Sequence, residues 1–327
     1  MSKKYDVYGI GNAIVDYEIE ASDDFLQKNA VEKGMMTLVE EERQKELLVA
    51  ASEKVRKRQS GGSAANSMIA LAQFGGKGFY SCKVANDEDG SLYKQEMDDL
   101  GVDTCLGDLP DGTTGKCLVM VTPDAERTMN TYLGITSDLS INEIDEEALS
   151  QAEFIYIEGY LVSSPTGIEA IKRIKELARK YSVKIAYTFS DPAMVRFFND
   201  QSHEAVSGEI DLLFANEEEA MAFTGKNSDE DSFEALKKYA KHFVITRSEK
   251  GAWIFDGEKK IEISGHPVKA IDTTGAGDMF AGAFLYGMTN GLSHQEAGDL
   301  ASRASAKVVS QFGPRLENEV ASELLNE

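Results

Sequence analysis

Seven consecutive residues, Asp272-Thr273-Thr274-Gly275-Ala276-Gly277-Asp278, set hydroxyls, small residues and two carboxylates just ahead of a small and apolar run at helical spacing, residues 279–285. Small residues let a ligand approach the main chain closely. The first amides of the helix that follows have no partner inside it, and the helix dipole adds positive potential at the same point. Gly275, Ala276 and Gly277 therefore read as an anion hole suited to a phosphoryl group in transit. Asp278, in the first helical turn, is placed to accept the proton of an attacking hydroxyl. The dipole is expected to hold it ionised at neutral pH. An acidic helix start accounts for Asp278 alone, but poorly for the whole string.

Three further strings carry candidate chemistry. In Asn216-Glu217-Glu218-Glu219, Asn216 and Glu219 fall on one helical face. They read either as a capping pair or as holders of Mg²⁺, direct or through water, beside nucleotide phosphates. Gly61-Gly62-Ser63-Ala64-Ala65-Asn66 opens a small-residue helix. It permits close contact with a hydroxylated ligand, since Asn66 both donates and accepts, and it reads equally well as a tight loop before a polar helix residue. Gly9-Ile10-Gly11-Asn12-Ala13-Ile14-Val15-Asp16 begins like a dinucleotide fingerprint. Ile14 stands where the third glycine belongs, and Ile14-Val15 suits a strand better than a helix start. Asp16 is instead a candidate anchor for sugar hydroxyls. No GxxxxGK[ST], GxSxG or HExxH string occurs.

Strands must end at these strings and helices must start from them. The pattern predicts strands over 5–10, 77–84, 154–158, 183–188, 210–215 and 243–246. Helices are expected over 40–52, 61–74, 89–100, 167–180, 216–223, 276–290, 293–310 and 317–325. Alternation of this kind implies a mostly parallel sheet with helices on both faces. Residues 16–40 and 102–135, the latter with the turn Pro110-Asp111-Gly112, read as β-rich. They are expected to pack together as a small lid over the site. No linker divides the chain, so 1–327 reads as one α/β unit with the core in the remainder.

The net charge of −22, with scattered basic residues, excludes a nucleic-acid partner and fits a self-repelling soluble protein. Cys82, Cys105 and Cys117 form no CxxC pair and the four histidines are far apart in sequence, so neither a zinc site nor a disulfide framework is expected. Reduced thiols point to a cytoplasmic location. The two lysines near the N-terminus precede no apolar segment, and no run approaches 18 apolar residues, so no signal peptide and no membrane partner are expected.

With these strings in hand, nearly the whole chain resembles the PfkB (ribokinase-like) family of carbohydrate and nucleoside kinases. The amino-terminal glycine signature is similar to Gly61–Asn66, and the carboxy-terminal one to Asp272–Asp278 continuing Met279-Phe280-Ala281-Gly282-Ala283-Phe284. Within the family the likeness is to adenosine kinases and their bacterial relatives. It is carried by Gly11–Asp16, Glu158-Gly159-Tyr160-Leu161, Ser190-Asp191-Pro192 and Leu213–Glu219 in matching order. The resemblance implies a ribokinase-like three-layer α/β core, mostly parallel, with a small β-sheet lid. It implies ATP-dependent phosphorylation of a primary hydroxyl of a nucleoside, adenosine to AMP, with Asp278 as general base. Asp16, Gly62 and Asn66 would hold ribose hydroxyls, with Asn12 and Gly61 beside them. Arg127 would reach the phosphates from the lid, and Tyr160 would join Met35, Met36, Leu38 and Leu133 around the base. Asn216 and Glu219 would organise Mg²⁺. Thr246, Ser248 and Gly251, with Asn216 and Gly277, would bind ATP. Where the family's nucleotide loop reads Thr-x-Gly-x-x-Gly, Ser248 here replaces a glycine. A K⁺ site between the backbone around Asp272 and Thr274 and residues 305–313 is also implied, as is a monomer or a lid-mediated homodimer.

A sugar kinase of the same family acting on ribose, fructose or a related carbohydrate is the alternative. The stretch 12–16 holds no basic residue for a phosphorylated sugar. A non-catalytic ligand sensor has no need of Asp278, and a nicotinamide oxidoreductase requires cofactor binding at Gly9–Gly11.

Overall fold

The computed structural model describes residues 3–124, 126–208 and 210–326. Among them the strands run in chain order as β1 (Tyr5–Ile10), β2 (Ile14–Glu20), β3 (Met36–Leu38), β4 (Val55–Gly61), β5 (Gly78–Ser81), β6 (Val102–Thr104), β7 (Gly115–Val121), β8 (Arg127–Tyr132), β9 (Ala152–Glu158), β10 (Lys184–Thr188), β11 (Ile210–Asn216), β12 (Ala240–Thr246), β13 (Ala252–Phe255) and β14 (Lys260–Ile263). Nine form one sheet in the order β14-β13-β12-β11-β10-β9-β1-β5-β6. It is parallel from β12 to β6 and finishes in the antiparallel run β12-β13-β14.

A parallel sheet covered on both sides needs strands that are apolar on both faces. Alternate residues accordingly enter two cores. Val7, Phe154, Tyr156, Leu212, Phe214 and Val244 pack with the helices Ser63–Gln73, Ala276–Thr289 and His294–Val309. Tyr8, Ile155, Ile157, Tyr187, Leu213 and Phe243 pack on the opposite face, chiefly under the helix Pro165–Tyr181. The expected layered α/β core is present.

The remaining five strands make a second sheet, β3-β8-β7-β2-β4. Its composition differs from the expected 16–40 plus 102–135. Val55–Gly61, over which no strand was expected, contributes β4; the charge of Arg56-Lys57-Arg58 is what an exposed sheet edge tolerates. Val102–Thr104 belongs to the large sheet, paired with β5. Within 16–40, Asp23–Lys28 is a short helix whose Ser22 side chain accepts from Phe25 N at 3.1 Å. One buried carboxylate fastens the second sheet to the core. Asp89, in the first turn of the helix Glu88–Asp99, accepts from Tyr17 Oη at 2.7 Å and pairs with Lys116 at 2.7 Å and Arg58 at 3.6 Å. Among the described residues no helix is long and apolar enough to cross a membrane.

Candidate active site

Glu158, Thr188, Asn216 and Thr246 end the neighbouring strands β9, β10, β11 and β12, and Asn12 follows β1; all five line one cleft of about 570 Å³. Open α/β sheets bind ligands at the carboxyl ends of their strands, where the strand order reverses. Here that point lies between β1 and β9. The second sheet faces the cleft with Ile14 and Asp16 of β2, Cys117 of β7, and Arg127, Met129 and Thr131 of β8.

The loop residues Thr273, Thr274 and Gly275 and the first turn of the helix Ala276–Thr289 also line the cleft. Gly275 takes φ 71°, and a Cβ there would lie 2.3 Å from Pro314 Cβ, so only glycine fits. No side chain caps the helix. The amides of Gly275, Gly277 and Asp278 have no partner among the described residues. Ala276 N, expected to join them, turns back to Thr273 O in a long 3.4 Å contact. Asp272 holds the loop: its carboxylate accepts from Thr274 N at 2.8 Å and Gly313 N at 3.0 Å. Arg127 crosses from the second sheet to this loop, with Nη1 donating to Thr274 Oγ1 and Nε 3.5 Å from the Asp272 carboxylate.

Asp278 lines the cleft beside the free amides. Its carboxylate accepts from Ser63 Oγ at 2.6 Å and, at 3.4 Å, from Asn66 Nδ2. Burial pushes its pKa up to about 6, against the hydrogen bonds of Ser63 and Asn66 and the charge of Arg127. The direction is opposite to that expected from the helix dipole, because desolvation outweighs it. The group is still mostly ionised at pH 7.

Asp16 also faces the cleft and accepts no hydrogen bond from the described residues. Burial pushes its pKa up to about 7; the charge of Arg315 opposes this, while Glu18 and Asp278 add to it. Gly61 lies outside the cleft lining and acts one layer back, since a Cβ there would fall 2.2 Å from Asp16 Oδ2. Asn66 Oδ1 is buried without a partner. Gly62, at φ 105°, passes so close to Asn12 O that a Cβ would lie 2.2 Å away.

Glu158, given no role from sequence, ties these pieces together. Fully buried, it accepts from Asn12 N at 3.1 Å and from Ala64 N at 2.8 Å. It thereby caps the helix Ser63–Gln73 from a distant strand, and burial raises its pKa to about 7. The available signal was a carboxylate closing an otherwise apolar strand end.

Asn216 and Glu219 form a reciprocal capping box: Asn216 Oδ1 accepts from Glu219 N at 2.8 Å, and Glu219 Oε2 accepts from Asn216 N at 2.9 Å. The capping geometry is therefore realised, and it leaves Glu219 Oε1 uncommitted in the cleft. Glu219 is buried and pushed up to about 8 by desolvation, with Asp191 and Asp278 adding to the shift. Among the described residues no group of three or more His, Cys, Asp or Glu is arranged to hold a metal ion. Thr246 and Tyr160 line the cleft, whereas Ser248, Gly251 and Met35 do not. Ser248 adopts φ 50°, the left-handed conformation glycine takes freely, so the turn is kept without the glycine. Arg247 N donates to Gly251 O at 2.8 Å and Gly251 N to Ser248 O at 3.1 Å, closing it.

Comparison with known proteins agrees with this geometry. The model of the pfkB family of carbohydrate kinases matches residues 34–321. An adenosine kinase of Saccharomyces cerevisiae is 26% identical over 335 residues, 96% of this chain and 97% of that protein. A ribokinase of Haemophilus influenzae is 29% identical, over 77% of this chain and 82% of its own. The solved adenosine kinase of Sinorhizobium meliloti has a TM-score of 0.91 and 33% identity, covering 99% of both chains. The chain belongs to the pfkB family of carbohydrate kinases, which use ATP to phosphorylate a hydroxyl group of a sugar or nucleoside.

Proposed function

We propose that the protein transfers a phosphoryl group from MgATP to the primary hydroxyl of a nucleoside, converting adenosine to AMP, with Asp278 as general base. One observation carries this reading: an ionisable carboxylate stands beside uncommitted main-chain amides at the start of the helix Ala276–Thr289, on the wall of the cleft.

The residues divide the work by position. The Asp16 carboxylate and Asn66 Oδ1 are free to accept from sugar hydroxyls, and Glu158 aligns the two loops that present them. Asp278 takes the proton as the acceptor oxygen attacks, and Ser63 orients its carboxylate. The amides of Gly275 and Gly277 meet the phosphoryl oxygens with little reorganisation. Arg127, already on Thr274, adds positive charge from the second sheet, which serves as the lid. Glu219, held by Asn216, suits Mg²⁺ brought with ATP, since one of its oxygens is free and a cation would offset the nearby Asp191 and Asp278. Mg²⁺ would neutralise charge developing on the phosphates. The three free cysteines accord with a reducing, cytoplasmic setting.

The test is a substrate panel with ADP detection: adenosine and inosine against ribose, fructose and fructose phosphates, with Mg²⁺ and with or without K⁺. The K⁺ arm probes the region where Asp272 binds Gly313 N. Adenosine is expected to give the highest kcat/KM. Faster turnover of ribose or fructose would move the reading to a sugar kinase.

A further inference from the structure

Three consecutive residues after the helix His294–Val309 touch both halves of the proposed chemistry. Gly313 N donates to the Asp272 carboxylate, and Pro314 packs against Gly275, so both serve the anion loop. Arg315 turns the other way. It lies outside the cleft lining, and its Nη2 donates to Ser60 O and, at 2.9 Å, to Ser60 Oγ. Ser60 pairs with Val15 across β2 and β4, and the next residue, Gly61, is the backbone step on which the Asp16 carboxylate rests. Glu96 Oε2 completes the clamp, accepting from Ser60 N at 2.6 Å, and Tyr93 Oη donates to Gly61 O at 3.1 Å.

The guanidinium is largely buried, and its only paired carboxylate among the described residues is Glu96 at 3.6 Å; Arg315 Nε has no partner. A buried cation so loosely paired needs further negative charge nearby. Asp16 supplies it. The other charged and titratable groups acting with Asp16 are Glu18 on its own strand, Cys117 on β7, Arg127 on β8, Tyr93 on the helix Glu88–Asp99 and Asp278. Only one of these, Arg127, is a cation, and it is already committed to Thr274 and Asp272.

We propose that Arg315 is a positioning residue for the phosphoryl acceptor: it clamps the backbone step beneath Asp16 and supplies the buried positive charge that keeps this carboxylate an acceptor for substrate hydroxyls. The proposal rests on the reading of Asp16 as a sugar-hydroxyl anchor, and it holds for a nucleoside or a bare sugar alike. Burial already lifts Asp16 to about 7 against the opposing charge of Arg315. Removing that charge should carry the carboxyl further up, and a protonated Asp16 loses the charge-assisted hydrogen bonds that hold the acceptor.

The test compares the full-length wild type with Arg315→Met and Arg315→Lys, each checked by a thermal melt. KM and kcat are measured at pH 7 and pH 9 with MgATP and with adenosine and ribose as acceptors. Arg315→Met should raise the acceptor KM at pH 7 by at least ~5-fold, the loss of ionised carboxylate when a pKa near 7 rises by about one unit. The increase should largely vanish at pH 9, with kcat and the KM for MgATP little changed. Arg315→Lys, which keeps the charge, should recover most of the loss. In Asp16→Asn, adding Arg315→Met should leave the acceptor KM without this pH dependence. Titration of the Asp16 carboxyl by ¹³C NMR, assigned with Asp16→Asn, reads the same effect without substrate and should shift upward in Arg315→Met. If Arg315→Met does not fold, Arg315→Gln takes its place with the same expectations. A folded, uncharged variant with an unmoved Asp16 titration, or with an acceptor KM equal to wild type at pH 7, overturns the proposal. Turnover of ribose but not adenosine overturns the nucleoside reading instead, and the KM change is then read with ribose.

Discussion

The Ser63 hydroxyl donates to the Asp278 carboxylate across 2.6 Å, joining the first turns of two helices from positions 215 residues apart. The helices can approach because Gly282 has no side chain; a Cβ there would lie 2.4 Å from Ser67 O. This bond favours the ionised carboxylate, against the burial that lifts its pKa to about 6. Turnover should therefore rise with pH through about 6 as the base deprotonates. Ser63→Ala should move that acid limb upward by roughly one pH unit, with most activity retained at pH 8. A pH–kcat profile of both proteins checks it, and an unmoved limb would show that Asp278 is not the group titrating.

The two glycines of the anion loop should respond differently to a methyl group. Gly275 is left-handed and its added Cβ would overlap Pro314, so Gly275→Ala should damage the loop itself. A Cβ at Gly277 meets nothing within 4 Å. Gly277→Ala should fold normally and still lose at least ~10-fold in kcat, because the methyl enters space meant for the phosphoryl group and small misplacements of reacting atoms are costly. Melting temperature and kcat, measured together, separate the two cases.

Stability of the ligand-free protein should fall as pH rises through neutrality. Asp16 and Glu158 are lifted to about 7 and Glu219 to about 8, each chiefly by burial. A carboxyl whose folded pKa is raised contributes fully below its unfolded value, about 4, and loses that contribution as pH passes its folded value. The melting temperature should therefore be higher at pH 6 than at pH 8.5. His294, whose pKa burial lowers, opposes this only toward the acid end. Asp16→Asn removes one titrating group that holds no hydrogen bond, and should narrow the difference. Thermal melts at the two pH values decide it, and an equal or wider gap in the variant would contradict the assignment.

Asp89 should be a structural weak point although it lies outside the cleft lining. Removing it leaves the largely buried Lys116 ammonium without its 2.7 Å partner and frees the Tyr17 hydroxyl. Asp89→Ala should cost about 3–5 kcal/mol, the range for breaking a buried pair. Adding Lys116→Met should restore part of it. Urea unfolding of the single and double variants measures both effects.

Much of the site was legible where one short segment contains its whole geometry. The string 272–278 specifies its own turn and helix start, and Asn216 with Glu219 closes a three-residue cap. What stayed hidden depends on distant pairing. Glu158 acts on Asn12 and Ala64 from 146 and 94 residues away, and Ser63 reaches Asp278 across 215. The large sheet was readable because its parallel strands are apolar on both faces. Strand β4 was not, because its charged edge resembles a loop until Tyr17 and Arg58 are seen paired across the second sheet. Ser248 shows that a missing signature glycine need not change a turn, since serine here holds φ 50°.

The proposed chemistry meets its most direct test in Asp278→Asn, assayed with MgATP and adenosine at pH 8 alongside a thermal melt. The substitution keeps the side chain's size while removing the base. A fall in kcat of at least ~10²-fold with an unaltered fold is expected. Near-wild-type turnover by a folded variant would contradict Asp278 as the proton acceptor.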